Sequence, residues 1–140
     1  MIYVLGYIAT LLVFGIIDAA WLTTMGSVLY KPTLGDILTP SIRIGPAIAF
    51  YLIFPIGILI FGALPAARAT SLATALLYGA LFGAFAYGTY DLTNYATLRN
   101  WTAQITLIDI VYGAIASAIA SGAGYYALRA AGNWIGQSPS

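Results

Sequence analysis

The chain has 140 residues, 61% of them hydrophobic and 6% charged, with a formal net charge of +1 and a mean hydropathy of +0.93. An ordinary soluble domain has about a quarter of its residues charged, so this composition predicts one integral membrane domain and excludes a soluble core, for which no polar helical face is available. The small net charge excludes nucleic-acid binding, while the absence of cysteine and histidine removes disulfides, thiolate or imidazole metal ligation, imidazole-held haem and His-based triads, so no cofactor is expected.

A hydrocarbon core of about 30 Å takes roughly 20 apolar residues per helix, and four such stretches fill most of the length. The first is predicted from Ile2 to Thr24, with helix continuing to Leu29 or Tyr30 because nothing stronger than Gly26 interrupts it. Met1-Ile2-Tyr3-Val4 lacks the basic residues of a cleaved signal, so this span is expected to be retained. Lys31, Pro32, Gly35, Asp36, Pro40 and Arg43 then mark a polar loop with room for one short interfacial helix. The second span is predicted over Ile44 to Leu64, kinked at Pro55, with Pro65-Ala66-Ala67-Arg68 as a tight turn. The third runs from Thr70 to Tyr90 and ends in Asp91-Leu92-Thr93-Asn94. After a loop with Arg99, Asn100 and Trp101, the fourth covers Thr102 to Leu128, followed by Arg129 and a polar tail, Gln137 to Ser140. The fold class is therefore all-α, an integral membrane four-helix bundle with both termini on one side. The positive-inside rule leans by a single charge (Lys31, Arg43 and Arg99 against Arg68 and Arg129) toward cytoplasmic first and third loops.

Three of the four acidic residues, Asp18, Asp91 and Asp109, lie in or at the rim of these spans. A charged aspartate at a helix centre costs about 2.5 to 3.5 kcal/mol on insertion scales, so such residues turn inward and find partners. Span parity places all three in one half of the membrane, the half next to the first and third loops. At about 1.5 Å per residue, Asp18 and Asp109 lie roughly 9 to 10 Å below that surface and Asp91 at or just under it. Helical spacing adds companions: Trp21 and Leu22 share a face with Asp18, Gly83, Tyr87, Tyr90 and Asn94 with Asp91, and Thr106, Tyr112 and Gly113 with Asp109. Asp18, Trp21, Tyr87, Tyr90, Asp91, Asn94, Asp109 and Tyr112 thus form a candidate ligand site. The remaining aromatics, Trp101 and Trp134 among them, read as an interfacial belt.

The bland alternative is that each acid is structural, accepting hydrogen bonds from Thr, Tyr, Asn or Trp groups of neighbouring helices. Arg99 and Arg43 could also pair with Asp91 and Asp36. Gly79, Gly83, Gly113, Ser117 and Ser121 read as close-packing positions of the third and fourth helices, which makes the fourth central or else a dimer face.

The segments Asp18-Ala19-Ala20-Trp21-Leu22, Ala86-Tyr87-Gly88-Thr89-Tyr90-Asp91-Leu92-Thr93-Asn94, Ala96-Thr97-Leu98 and Leu107-Ile108-Asp109 resemble a family of small bacterial four-helix membrane proteins, the domain of unknown function 2177. The similarity covers nearly the whole chain, and Tyr-Asp-Leu-Thr-Asn is its most specific part; Tyr112 stands where tryptophan would be expected. The resemblance implies a bacterial inner-membrane protein and assigns it no activity.

Three functions follow as alternatives. In one, a small transporter or binding protein holds a proton, cation or polar head group at an acidic, aromatic-lined site, with small multidrug exporters as an architectural analogy only. In another, the chain is an accessory subunit of a larger membrane complex, or a homodimer, docked through its small-residue faces. In the third, a lipid-modifying enzyme uses the three Asp and Asn94 as a hard-cation site or as acid and base. Without paired carboxylates at helical spacing or a nucleophile with its base, enzymatic activity is the less favoured reading, and the lipid bilayer is the one partner expected in every case.

Overall fold

The computed structural model describes residues 1–136 as four long helices with no strand among the described residues. They are α1 (Ile2–Leu34), α2 (Ile44–Arg68), α3 (Leu72–Thr97) and α4 (Ala103–Ile135), each long and apolar enough to cross a membrane. The tail Gln137 to Ser140 lies outside the described residues. Ser71 and Thr102 begin α3 and α4 as side-chain caps, accepting from the Thr74 N–H at 3.2 Å and the Ile105 N–H at 3.1 Å, which satisfies donors a helix start otherwise leaves unpaired.

Two helices run further than their prolines suggest. In α1 the regular helix Ile2–Met25 widens into a π-helical turn, Gly26–Tyr30, and resumes through Lys31–Leu34. In α2 the helix Ile44–Ile58 widens at Leu59–Ala63 and resumes through Leu64–Arg68. In both, a proline, Pro32 or Pro65, falls two residues after the widened turn. A proline ring inside a regular helix clashes with the carbonyl four residues back and lacks the N–H for it. An i→i+5 turn moves that carbonyl away, as the Lys31 N–H to Gly26 and Leu64 N–H to Leu59 bonds show. The loop expected at Lys31-Pro32 and the tight turn expected at Pro65–Arg68 are therefore helical. The chain turns instead at Ala69-Thr70-Ser71, with Thr70 in the left-handed region at φ 51°.

Backbone proximity, rather than large side chains, joins the helices. A Cβ at Gly83 would sit 2.2 Å from the Gly113 carbonyl oxygen and 2.5 Å from the Ser117 hydroxyl, and one at Gly79 2.5 Å from Ser121 Cβ. The α1–α4 seam is made likewise: a Cβ at Gly124 would meet the Thr10 hydroxyl at 2.3 Å, and one at Gly6 the Leu128 side chain at 2.8 Å. Gly62 of α2 closes on Ser121 in the same way. Helix α4 is central, touching the other three. Ile2, Ala67, Leu128 and Ala131 meet in one cluster, which places both ends of the described chain at one end of the bundle.

Helix α2 is packed unevenly. Leu59, Gly62, Ala63, Ala66 and Ala67 are buried against α3 and α4, whereas Ile44 to Phe54 is exposed or half-exposed throughout. Past Pro55 and the widened turn, its first half stands off from the bundle at the end that carries the first and third loops.

Two substitutions test this packing. Gly83→Val drives a branched side chain into backbone and should cost about 1–3 kcal/mol or more, read as a lower midpoint of thermal unfolding in detergent. Gly15, with nothing within 4 Å of its would-be Cβ, should tolerate alanine with an unchanged or slightly raised midpoint, since alanine is the better helix former. Equal behaviour of the two variants would contradict the seam.

Candidate functional site

The gap between the splayed half of α2 and the other three helices is a cavity of about 860 Å³. Its wall includes Asp18 and Trp21 from α1, Phe50, Tyr51 and Phe54 from α2, Tyr87, Tyr90 and Asn94 from α3, and Asp109 and Tyr112 from α4. Seven of the eight residues singled out from sequence therefore line one space; Asp91 does not. Tyr30, Leu34, Ile37 and Leu38 close it toward the first loop, and Leu98 and Trp101 toward the third.

Asp18 is 5% exposed and accepts from two phenols: Tyr112 donates to Oδ1 at 2.7 Å and Tyr51 donates to Oδ2. Asp109, 6% exposed, accepts from the Tyr30 hydroxyl, which in turn accepts from the Trp21 indole N–H at 3.0 Å. Three phenols thus fix two carboxyls of other helices, tying α1 to α2 and α4 at Asp18 and α4 to the end of α1 at Asp109. Hydrogen bonds to charged groups contribute about 1.5–3 kcal/mol each. The structural expectation for the acids holds to this extent for Asp18 and Asp109.

It does not hold for Asp91. Its carboxyl is 0% exposed and receives no hydrogen bond from a hydroxyl, amide or indole; its polar contact is with the carboxyl of Asp109, a carboxyl–carboxyl hydrogen bond that requires a proton held between the two. Arg99 does not reach it, and among the described residues none of the three carboxyls has a lysine or arginine partner. Nor is any group of three or more acidic side chains among the described residues placed to hold one metal ion, so the hard-cation arrangement expected of the three Asp with Asn94 does not form.

The aromatic wall falls into two groups of touching rings. Trp21 lies flat on Tyr112, ring centroids 4.0 Å apart at 9°, and Tyr87 meets Tyr112 edge-on at 5.9 Å. Phe54 bridges Tyr87 to Phe50 and Phe14, and Tyr90 meets Trp101 edge-on at 5.6 Å. Tyr87 packs over Gly113, where a Cβ would lie 2.3 Å from its ring; the glycine leaves room for the ring that faces both Asp18 and Asp109. Trp101, expected in the interfacial belt, is buried among Leu29, Leu34 and Ile105 with its indole N–H unpartnered.

Sequence reasoning missed Tyr30, Phe50, Tyr51 and Phe54. Tyr30 is the last residue of the widened turn of α1, across which steps of three and four no longer hold. Helix α2 has no acid from which to count, and an aromatic facing a cavity is indistinguishable in sequence from one facing lipid.

Residues 3–126 match a family described as predicted membrane protein, DUF2177. No curated protein and no solved structure matches the chain. With the match covering most of its length and four membrane-spanning helices in the structure, the chain belongs to this family of integral membrane proteins of unknown function.

Proposed function

We propose that the protein is a small transporter or binding protein of a bacterial inner membrane, and that the cavity is its intramembrane site for a proton, a cation or a polar head group. One observation carries this reading: buried carboxyls stand at a cavity whose other walls are aromatic and aliphatic apart from Asn94, and no basic side chain among the described residues neutralises them. Negative charge in a low-dielectric interior must be compensated. Where the protein provides no cation of its own, a proton or a ligand does so, and the two compete.

The exchange has a defined sign. A cation entering the cavity replaces bound protons, so purified protein in weakly buffered detergent solution should release protons on cation binding, and apparent affinity should fall as pH falls. Asp109→Asn should reduce the release by at least half, because it removes one of the two cavity acids and the one that contacts Asp91. A wild-type protein that releases no protons with any of a panel of inorganic and organic cations, at any pH between 5 and 9, would sink the reading.

The phenol contacts have a separate test. Tyr30→Phe leaves Asp109 without its donor and the Trp21 indole without its acceptor, so it should destabilise the protein by about 1.5–3 kcal/mol. In a double-mutant cycle with Asp109→Asn the effects should be non-additive by at least about 0.5 kcal/mol; strict additivity would show that the contact carries no stability.

A further inference from the structure

Resting on that reading, we infer that the occupant is an organic cation carried on an apolar body, such as a hydrophobic ammonium or phosphonium, in preference to a metal ion or an anion. Size is the first reason. A cavity of about 860 Å³ belongs with sites for drug-sized molecules, which run from about 300 to 1,000 Å³, and a bare metal ion would leave it nearly empty.

The chemistry of the wall is the second. Aromatic rings attract a cation over their faces while solvating an apolar body, and here the stacked Trp21–Tyr112 plate, Tyr87 and Phe54 stand around the two carboxyls. A metal ion instead needs several oxygen ligands converging on one point. Asp18 already accepts a phenol on each oxygen, Asp109 accepts one from Tyr30, and no three-acid group exists among the described residues. The carboxyls therefore present charge to the cavity more readily than an open coordination sphere. An anion would face Asp18 and Asp109, with the wholly buried carboxyl of Asp91 against that of Asp109 behind the wall. Even with one proton held between Asp91 and Asp109, that pair and Asp18 present carboxyls and no cation to an entering anion.

Access is the third. The first half of α2 stands off from the bundle and exposes Phe50 and its neighbours, so the space lies beside the hydrocarbon phase in which an amphiphilic cation dissolves. A strongly hydrated inorganic ion has no such reservoir.

The test uses the full chain in nanodiscs, with methyltriphenylphosphonium as a fixed-charge probe and triphenylphosphine oxide as a neutral analogue of similar shape. Trp21 and Trp101 line the cavity, whereas Trp134 is 92% exposed; Trp134→Phe removes its background, leaving indole fluorescence to report on the site. The phosphonium should give a saturable change and bind at least tenfold more tightly than the oxide. Asp18→Asn and Asp109→Asn should each weaken it at least tenfold, and Asp36→Asn, in the exposed first loop, should not. Should the buried variants misfold, the unmodified sequence still decides: lowering the pH should weaken the phosphonium and leave the oxide unchanged.

Equal binding of probe and analogue, or displacement of the probe by millimolar magnesium, would overturn the inference. Proton release with inorganic cations but no phosphonium binding would overturn it while leaving the proposed function standing; loss of both would remove both. Adding phosphatidylethanolamine to phosphatidylglycerol nanodiscs separates the natural sources. Displacement of the probe identifies a lipid head group, and its absence a free amphiphile, as the carrier of the same cationic chemistry.

Discussion

The site depends on how closely α3 and α4 approach. Lipid chains are as apolar as leucine, so no hydrophobic gain drives membrane helices together, and contact requires small residues that let backbones meet. Gly79 and Gly83 against Gly113, Ser117 and Ser121 provide that contact. Once it is set, Tyr87 is drawn over Gly113 and the carboxyls of Asp91 and Asp109 come side by side. A bulkier residue at Gly83 would separate the helices and with them the two acids. Packing and charge placement are therefore one constraint, although the residues responsible for each share no chemistry.

Helix α2 meets two opposed demands. Its second half must pack tightly enough to hold the bundle, as Gly62 against Ser121 shows, while its first half must stand off for a cavity to exist. Pro55 and the widened turn Leu59–Ala63 lie between the two regimes. Wide turns and prolines are the recognised sources of helix bending, and both occur where the bend is needed. The standing half remains attached through Tyr51 to Asp18 and through the contacts of Phe50 and Phe54 with Phe14. A hydrogen bond from the Tyr7 hydroxyl to the Leu52 carbonyl at 2.9 Å adds to the phenol–carboxyl bond and the aromatic cluster in holding this half to α1.

Much of this was legible in the sequence, for a reason specific to membranes. A span has a fixed length and successive spans alternate in direction, so Asp18, Asp91 and Asp109 could be placed at one level from parity alone. The glycines and serines of the α3–α4 seam were legible because only small residues permit close approach. The ends of α1 and α2 were not. Pro32 and Pro65 read as stops, and the i→i+5 turns that accommodate them have no signature in composition. Asp91 shares its face with Tyr87 and Asn94 by counting, yet it is buried behind the wall, because a face defined by steps of three and four is wider than the cavity it borders. Phe50, Tyr51 and Phe54 were hidden by the solvent itself: in water a buried aromatic contrasts with polar neighbours, whereas here both sides of the helix are apolar.

The identity of the groups that hold the carboxyls bears on what the site is for. A lysine or arginine beside Asp18 or Asp109 would cancel the charge and complete a structural ion pair, and breaking such a pair in a low dielectric costs several kcal/mol. Tyrosine does something different. A neutral phenol donates one hydrogen bond, fixes the orientation of the carboxyl and stabilises the bundle, but leaves the net charge in place. Tyr30, Tyr51 and Tyr112 therefore satisfy the acids geometrically without satisfying them electrostatically. If Asp18 and Asp109 served only to join helices, serine, threonine or asparagine could accept the same phenols at far lower cost in lipid. What the carboxyl adds beyond those residues is the capacity to ionise, and Asp18 and Asp109 carry that capacity on the cavity wall, which is where the proposed site would use it.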